Sequence, residues 1–306
     1  MKSLLFIGGT GFLGQSFFDY LNKGKLKYLK LSKIIIISRK NKKIKSQIKI
    51  TYIKKNIANI KKIPIADYII YAANSNNSKR DLKSFYNFKD LIDEKHLKSK
   101  ILFTSSGAVY GPNKYKKKIK EIDLISFNNV SKFKGYKKDY AKSKIIIENE
   151  FKKLSNKGFK VSIARLFSFI GKRILMNKNF AVTNLINQSL DKKNSKILLN
   201  SNKDVYRGYM NADELVRWIT KILVKTNSNC KIYNVGSDEA TTINELASKI
   251  AKKYNKEVLI KNTNKLKQNI DYYVPSVSKA KKELNLKNRF NFKETLNQIL
   301  NLRNLK

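Results

Sequence analysis

Ser3-Leu4-Leu5-Phe6-Ile7-Gly8-Gly9-Thr10-Gly11-Phe12-Leu13-Gly14 is the stretch on which the fold turns. Leu4 to Ile7 is a short, unbroken apolar run of the kind expected for a strand covered on both faces, and helical periodicity takes over from Phe12 to Asn22. Between them lies Gly8-x-x-Gly11-x-x-Gly14, the spacing of a turn that cradles a dinucleotide's phosphates. Gly8 lets the chain leave the strand sharply, Gly11 omits a Cβ that would meet a pyrophosphate, and Gly14 brings the helix close to the sheet. The free N–H groups of that helix then face the diphosphate.

Outward from this turn the chain repeats the same strand-helix alternation. Apolar runs at Ile34 to Ile37, Ile48 to Ile53, Tyr68 to Ala72, Ile101 to Phe103 and Val161 to Ala164 read as further strands, with helical segments at Leu82 to Ile92 and Tyr140 to Leu154. The order predicts an α/β protein built on a Rossmann-type, doubly wound parallel sheet. Past Arg165 the pattern loosens into helices at Asn179 to Leu190, Asn211 to Val224, Ile243 to Tyr254, Ser276 to Leu284 and Phe292 to Leu302, with strands at Ile197 to Asn200, Lys231 to Val235 and Val258 to Ile260. The 306 residues exceed one sheet domain. Residues 1–170 are expected to form the dinucleotide-binding domain, with 206–237 returning to it, and 171–205 with 238–306 a smaller C-terminal α/β domain.

Composition removes several chemistries. With one Cys (Cys230) and one His (His96), no intramolecular disulfide forms and a Cys/His zinc site lacks ligands; no metal is expected. His96, in Asp93-Glu94-Lys95-His96, reads as a solvated helix-end residue, and Cys230 as an unreactive thiol at the start of a buried strand. No apolar run reaches the roughly 20 residues needed to cross a bilayer, and the run after Lys2 stops at Gly8 without a signal-peptide cleavage site, so a cytoplasmic protein without a membrane partner is expected. Lys+Arg number 66 against 22 Asp+Glu, a formal net charge of +44. The lysines are spread over every segment and the arginines form no cluster, so the charge reads as a composition bias and no nucleic-acid partner is expected. Lys114 to Lys120 reads as a solvated surface loop.

Two further places bear on chemistry. The second strand ends Ile37-Ser38-Arg39-Lys40, without the acid that would hold the adenosine ribose hydroxyls of NAD, and Arg39 offers a planar fork of donors to a 2′-phosphate. NADP(H) is therefore preferred, with NAD(H) possible. In Tyr140-Ala141-Lys142-Ser143-Lys144, the Tyr and the second Lys stand at i and i+4, one helical turn apart. An ammonium beside a phenol favours phenolate and is expected to lower its pKa, which suits a general acid or base working next to a nicotinamide. Thr104-Ser105-Ser106-Gly107-Ala108-Val109-Tyr110-Gly111 follows a strand at the carboxyl end of the sheet, where open α/β folds bind ligands.

Glycine turn, strand-end Ser106 and Tyr140-x-x-x-Lys144, in that order, resemble the extended short-chain dehydrogenase/reductases, and within them the NAD-dependent epimerase/dehydratase family that acts on nucleotide sugars. The similarity covers almost the whole chain and includes Ala72-Ala73, Ala164-Arg165-Leu166-Phe167, Val205-Tyr206-Arg207-Gly208-Tyr209 and Tyr233-Asn234-Val235-Gly236. It implies catalysis by Ser106, Tyr140 and Lys144. It implies a cofactor held by Gly8, Thr10, Gly11, Phe12, Leu13, Gly14, Ser38, Arg39, Asn56, Ile57, Ala72, Ala73 and Thr104 together with Tyr140 and Lys144. It implies a nucleotide sugar bound by Arg207, Tyr110 and Ser168, and a homodimer through the helix bearing Tyr140 and its neighbour.

Departures from the family pattern narrow the expectation. The 4,6-dehydratases carry Asp-Glu where this chain has Gly107 and Ala108, which argues against dehydration, and many epimerases carry Asn in the place of Ser168. Ala164 to Gly171 and Gly236 to Ala247 look nearest the branch of 4-ketoreductases containing CDP-abequose synthase. The resemblance thus implies hydride chemistry at C4 of a nucleotide-linked deoxyhexose in surface-polysaccharide sugar synthesis, as a 4-ketoreductase. The alternatives are a nucleotide-sugar 4-epimerase of the UDP-glucose 4-epimerase type, and a non-catalytic NAD(P)-binding or RNA-binding protein.

Overall fold

A computed structural model describes residues 1–40, 42, 44–173, 180–191, 193–199, 204–260 and 270–303. Positions 179 and 200, at the ends of an expected helix and strand, lie outside the described residues, as do 174–178, 192, 201–203, 261–269 and 304–306 of the expected C-terminal domain. In chain order the first half comprises β1 (Lys2–Ile7), α1 (Phe12–Asn22), β2 (Leu31–Ile37), β3 (Lys49–Ile53), β4 (Tyr68–Tyr71), α2 (Ser78–Leu91) and β5 (Lys100–Ser106). Then come α3 (Phe127–Ser131), α4 (Tyr136–Asn156), β6 (Lys160–Leu166), β7 (Phe169–Ile170), α5 (Ala181–Leu190) and β8 (Lys196–Leu199). The remainder is β9 (Val205–Arg207), β10 (Met210–Asn211), α6 (Ala212–Lys225), β11 (Lys231–Val235), β12 (Thr241–Thr242), α7 (Ile243–Lys253), β13 (Glu257–Ile260), β14 (Asp271–Tyr273), α8 (Ser278–Leu284) and α9 (Phe292–Arg303).

Seven parallel strands form the central sheet in the order β11-β6-β5-β4-β1-β2-β3. The continuous apolar runs of β1, β2, β4 and β5 have no polar face because helices cover both sides. On one side Phe17 of α1 and Trp218 of α6 pack over Phe6, Ile34, Ile70 and Leu102. On the other, Phe85 and Phe88 of α2 and Phe151 of α4 meet Tyr71 and Phe103, the Phe103 and Phe151 rings stacking at 4.9 Å. Each such phenylalanine contributes on the order of 2–3 kcal/mol by leaving water. A Cβ on Gly14 would stand 2.0 Å from the Gly9 carbonyl oxygen, so any larger residue there pushes α1 off the turn.

Beyond the sheet, α5, α7 and α9 close over the parallel pair β8–β13 around Ile186, Ile197, Leu246, Ile250 and Leu296. A small sheet of β12, β9 and β14 stands beside the carboxyl ends of the large one. These strands have two or three residues each and carry no periodicity of their own, and the sequence pattern does not reveal them.

Two surface expectations need correcting. His96 is 2% exposed rather than solvated: its ring caps a short turn, Nδ1 lying 2.8 Å from Asp93 Oδ1 and Nε2 3.3 Å from the Ile63 carbonyl oxygen. The Lys114 to Lys118 stretch is exposed, but Ile119 is buried, its N–H donating to the Val274 carbonyl at 2.9 Å.

Candidate active site

The turn after β1 lies where β1, β2 and β4 end together. Gly8 has φ +83°, and its N–H donates to the Ile37 carbonyl at 2.9 Å. A side chain there would be strained and its Cβ would stand 2.8 Å from the Ala72 carbonyl oxygen. Gly11 begins α1 in extended conformation, with no side-chain cap and no acid in the first turn, so the helix offers its first N–H groups and its positive end to a ligand.

Those groups open on a cavity of about 1230 Å³ along the carboxyl ends of the strands. Every residue the sequence places at a cofactor lines it except Gly14, which serves the packing beneath. At the end beyond β2, Ser38, Arg39, Lys40, Lys42 and Lys55 line the wall, and Thr10 Oγ1 lies 2.5 Å from Ser38 Oγ. Asn56 caps a short turn by accepting from the Ala58 N–H at 3.2 Å, which sets Ile57 beneath the floor. The unobstructed turn, the uncapped helix start and a cavity running from β2 to α4 fit an extended dinucleotide.

At the far end, β5 and α4 bring the hydroxyl, phenol and ammonium together. Ser106 closes β5 and caps the next turn, its Oγ accepting from the Ala108 N–H at 3.2 Å. Tyr140 and Lys144 project from one face of α4; the phenol lines the same cavity as Ser106, and Lys144 Nζ donates to the Thr104 carbonyl at 3.3 Å. Burial pushes Lys144 down to about 8, with the Asp81 and Glu148 carboxylates opposing. Burial also pushes the Tyr140 phenol up, against the Ser106 hydrogen bond and with the Asp81 charge adding to the rise. The expected lowering by Lys144 is therefore corrected. The ammonium sits 5.6 Å from the Tyr140 ring centre and points to Thr104, so desolvation decides the sign.

Arg207, on β9, faces the cavity but is already engaged. Its Nη2 lies 2.6 Å from Asp271 Oδ2, and its Nη1 donates to the Tyr206 and Asp271 carbonyls at 2.7 and 3.1 Å. Ser168 lines the same wall. Tyr110 does not: its ring is 5% exposed and its hydroxyl is consumed inside, accepting from Arg165 at 2.7 Å and donating to Asn234 at 2.8 Å. Closeness to Ser106 in sequence misplaces it, because the turn from Gly107 to Tyr110 swings the ring into the core.

Three residues that sequence reasoning missed line the site: Asp81 from α2, Lys137 from α4 and Tyr273 from β14. Asp81 is the cavity's one lining carboxylate among the described residues, and its Oδ1 accepts from the Ser75 N–H at 2.7 Å. Nothing in the pattern around these residues distinguishes them from solvated helix positions or a short strand. Among the described residues no group of three or more His, Cys, Asp or Glu is arranged to hold a metal, and no helix is long and apolar enough to cross a membrane.

Comparison with solved structures finds the same architecture. The UDP-N-acetylglucosamine 4-epimerase of Bacillus cereus is 19% identical with a TM-score of 0.75, over 99% of this chain and 100% of that one. The UDP-glucose 4-epimerase of Thermotoga maritima, with UDP-glucose, is 18% identical with a TM-score of 0.77 over the same shares. The dTDP-glucose 4,6-dehydratase of Bacillus anthracis, in complex with NAD, is 17% identical with a TM-score of 0.78, over 100% and 97%. At such identities the likeness establishes the fold. A search of curated proteins finds no match. The profile of the NAD dependent epimerase/dehydratase family matches residues 4–236, from β1 to just past β11. That span takes in the whole central sheet with its glycine turn, Ser106 and the Tyr140–Lys144 helix, and the chain belongs to the NAD-dependent epimerase/dehydratase family.

Proposed function

We propose that the protein is an NADP(H)-preferring 4-ketoreductase acting on a nucleotide-linked deoxyhexose. The observation that carries this reading is the pairing of a complete Ser106-Tyr140-Lys144 group with a site that has no room for dehydration acids. A Cβ on Gly107 would stand 2.6 Å from Phe167 Cζ and 2.7 Å from the Tyr273 hydroxyl, and Ala108 is buried. Loss of water needs an acid and a base on the sugar's far carbons, and neither position can present one.

A bound nicotinamide supplies hydride to the substrate carbon. The protein's part is the proton and the alignment. Tyr140 stays protonated because burial raises its pKa, so it donates its phenolic hydrogen to the C4 oxygen as that oxygen gains charge. The O–H bond of Tyr140 breaks as the substrate O–H forms, and the Lys144 ammonium and the Ser106 hydroxyl steady the resulting phenolate. Arg207 offers a guanidinium to the diphosphate. Ser38, Arg39, Lys40 and Lys42, without a carboxylate among them, support a 2′-phosphate over a bare ribose.

The test is to mix purified protein with NADPH and nucleotide-linked 4-keto-deoxyhexoses and follow nicotinamide absorbance. Stoichiometric consumption of NADPH is expected, with Tyr140→Phe slowing it about a hundredfold or more at unchanged NADPH affinity. Interconversion of C4 epimers without net nicotinamide oxidation would overturn the reductase in favour of a 4-epimerase.

A further inference from the structure

We infer that Lys137 is a second cation of the nucleotide-sugar diphosphate subsite, standing with Arg207 over the ring of Tyr273 and supplying the positive charge that Asp271 takes from that arginine. The inference rests on the reading of the cavity as a nucleotide-sugar site and adds to it a residue that sets affinity for the diphosphate.

The geometry joins three distant segments. Tyr273 ends β14, which pairs with β9 so that Tyr273 stands beside Arg207. Phe167 packs on the Tyr273 ring at 4.7 Å, and the Arg207 guanidinium stands over the ring at 5.5 Å from its centre. The Lys137 ammonium comes to the same ring from α4, 5.9 Å from its centre, and lies 4.1 Å from the centre of the Phe133 ring. Two aromatic faces thus hold the ammonium in place, and Lys137, Arg207 and Tyr273 all line the cavity. Lys137 precedes Tyr140 by three residues on α4, so it stands about one helical turn from the phenol assigned to the sugar's C4 oxygen.

Charge decides what this arrangement takes. A sugar-linked diphosphate is dianionic. Arg207 meets it already paired, its Nη2 2.6 Å from Asp271 Oδ2, and that pair is neutral as a unit. Lys144, the other ammonium near the reacting end, is turned to the Thr104 carbonyl. Lys137 makes no hydrogen bond or ion pair among the described residues, so its donors are free for an incoming anion. It also sits in the first turn of α4, where the helix's positive end disfavours a cation, and a phosphate bound there removes that cost.

The test uses the complete protein saturated with NADPH, which occupies the glycine turn, at about 0.15 M salt. UDP, CDP and dTDP are titrated in by calorimetry, each beside its monophosphate, and the nucleotide bound most tightly is carried to the variants. Lys137→Met keeps the stem on both rings and removes the charge. It is expected to weaken the diphosphate about tenfold and the monophosphate less than about twofold. KM for the nucleotide sugar should rise by about the same tenfold, with kcat and NADPH affinity nearly unchanged. Lys137→Arg should retain most of the affinity. Lys138→Met removes the same charge one residue along, from a side chain that does not line the cavity, and should change little. An unchanged diphosphate affinity in Lys137→Met would overturn the inference. An equal loss in Lys138→Met would do so by tracing the effect to the protein's overall field. A loss with the nucleotide sugar alone would do so by moving the ammonium to the sugar. Failure of all three diphosphates to bind the parent complex would instead sink the nucleotide-sugar reading, and the inference with it.

Discussion

Arg165 and Glu148 form a two-pronged ion pair inside the protein, Nη2 2.7 Å from Oε2 and Nε 3.1 Å from Oε1, with both side chains 2% exposed. Ser105 Oγ donates to the same Glu148 Oε1 at 2.5 Å, and Arg165 Nη1 donates onward to Tyr110. The pair thereby joins the end of β5, the helix α4 and the strand β6. Glu148 follows Lys144 by one turn of α4, so the register that presents Tyr140 and Lys144 to Ser106 is held from behind by this charge pair.

Removing one partner of a buried pair strands the other charge. Glu148→Ala is expected to cost about 3–5 kcal/mol in chemical denaturation. Glu148→Gln, which keeps an acceptor for Ser105 and Arg165, should cost less. A loss below about 1 kcal/mol for the alanine variant would show that the guanidinium finds water.

Gly107 is closed to side chains by Phe167 and Tyr273. Gly107→Ala should therefore cost about 1–3 kcal/mol through overpacking, and turnover should fall because the atoms that must move are those around Ser106. Gly107→Asp should lower stability further and confer no 4,6-dehydratase activity. Sugar dehydration by that variant would mean the pocket relaxes far more than its packing implies.

Much of this site is legible in the sequence because its parts are local. The glycine turn, the strand-tip Ser106 and the i, i+4 pair Tyr140 and Lys144 each sit within a few residues of one element, and the apolar runs announce the strands that carry them. What stays hidden depends on pairing between distant segments. Tyr273 reaches the cavity only because β14, three residues long, adds itself to β9. Asp81 looks like any charged helix residue until α2 is laid along the sheet. Tyr110 is misread because sequence proximity says nothing of which way a tight turn points. The direction of the Tyr140 shift is misread because charge proximity is visible in a spacing and desolvation is not.

Arg39 stands exposed at the cavity wall beyond β2, where a 2′-phosphate would lie. A charge-assisted hydrogen bond is worth about 1.5–3 kcal/mol. Arg39→Ala should therefore weaken NADPH binding by roughly 10- to 100-fold and leave NADH binding nearly unchanged, as read by fluorescence titration of each cofactor. Equal losses for both would remove Arg39 from the choice between them.

Lys144 offers a test that needs neither cofactor nor substrate. Its ammonium is buried and its pKa is held down to about 8, whereas an unfolded lysine titrates near about 10.4. Between those values the unfolded chain binds more protons than the folded one, so this residue makes stability rise with pH across that window. Below about 8 both states are protonated and the folded state bears the full penalty, on the order of 3 kcal/mol. Lys144→Met keeps the length of the side chain and removes the charge. It should unfold at higher denaturant than the parent protein near neutral pH, and the advantage should shrink as pH climbs through the window. A variant that is less stable at neutral pH, or whose advantage does not change with pH, would show that the ammonium is well solvated by its neighbours, and the argument that burial sets the proton affinities of this site would fail with it.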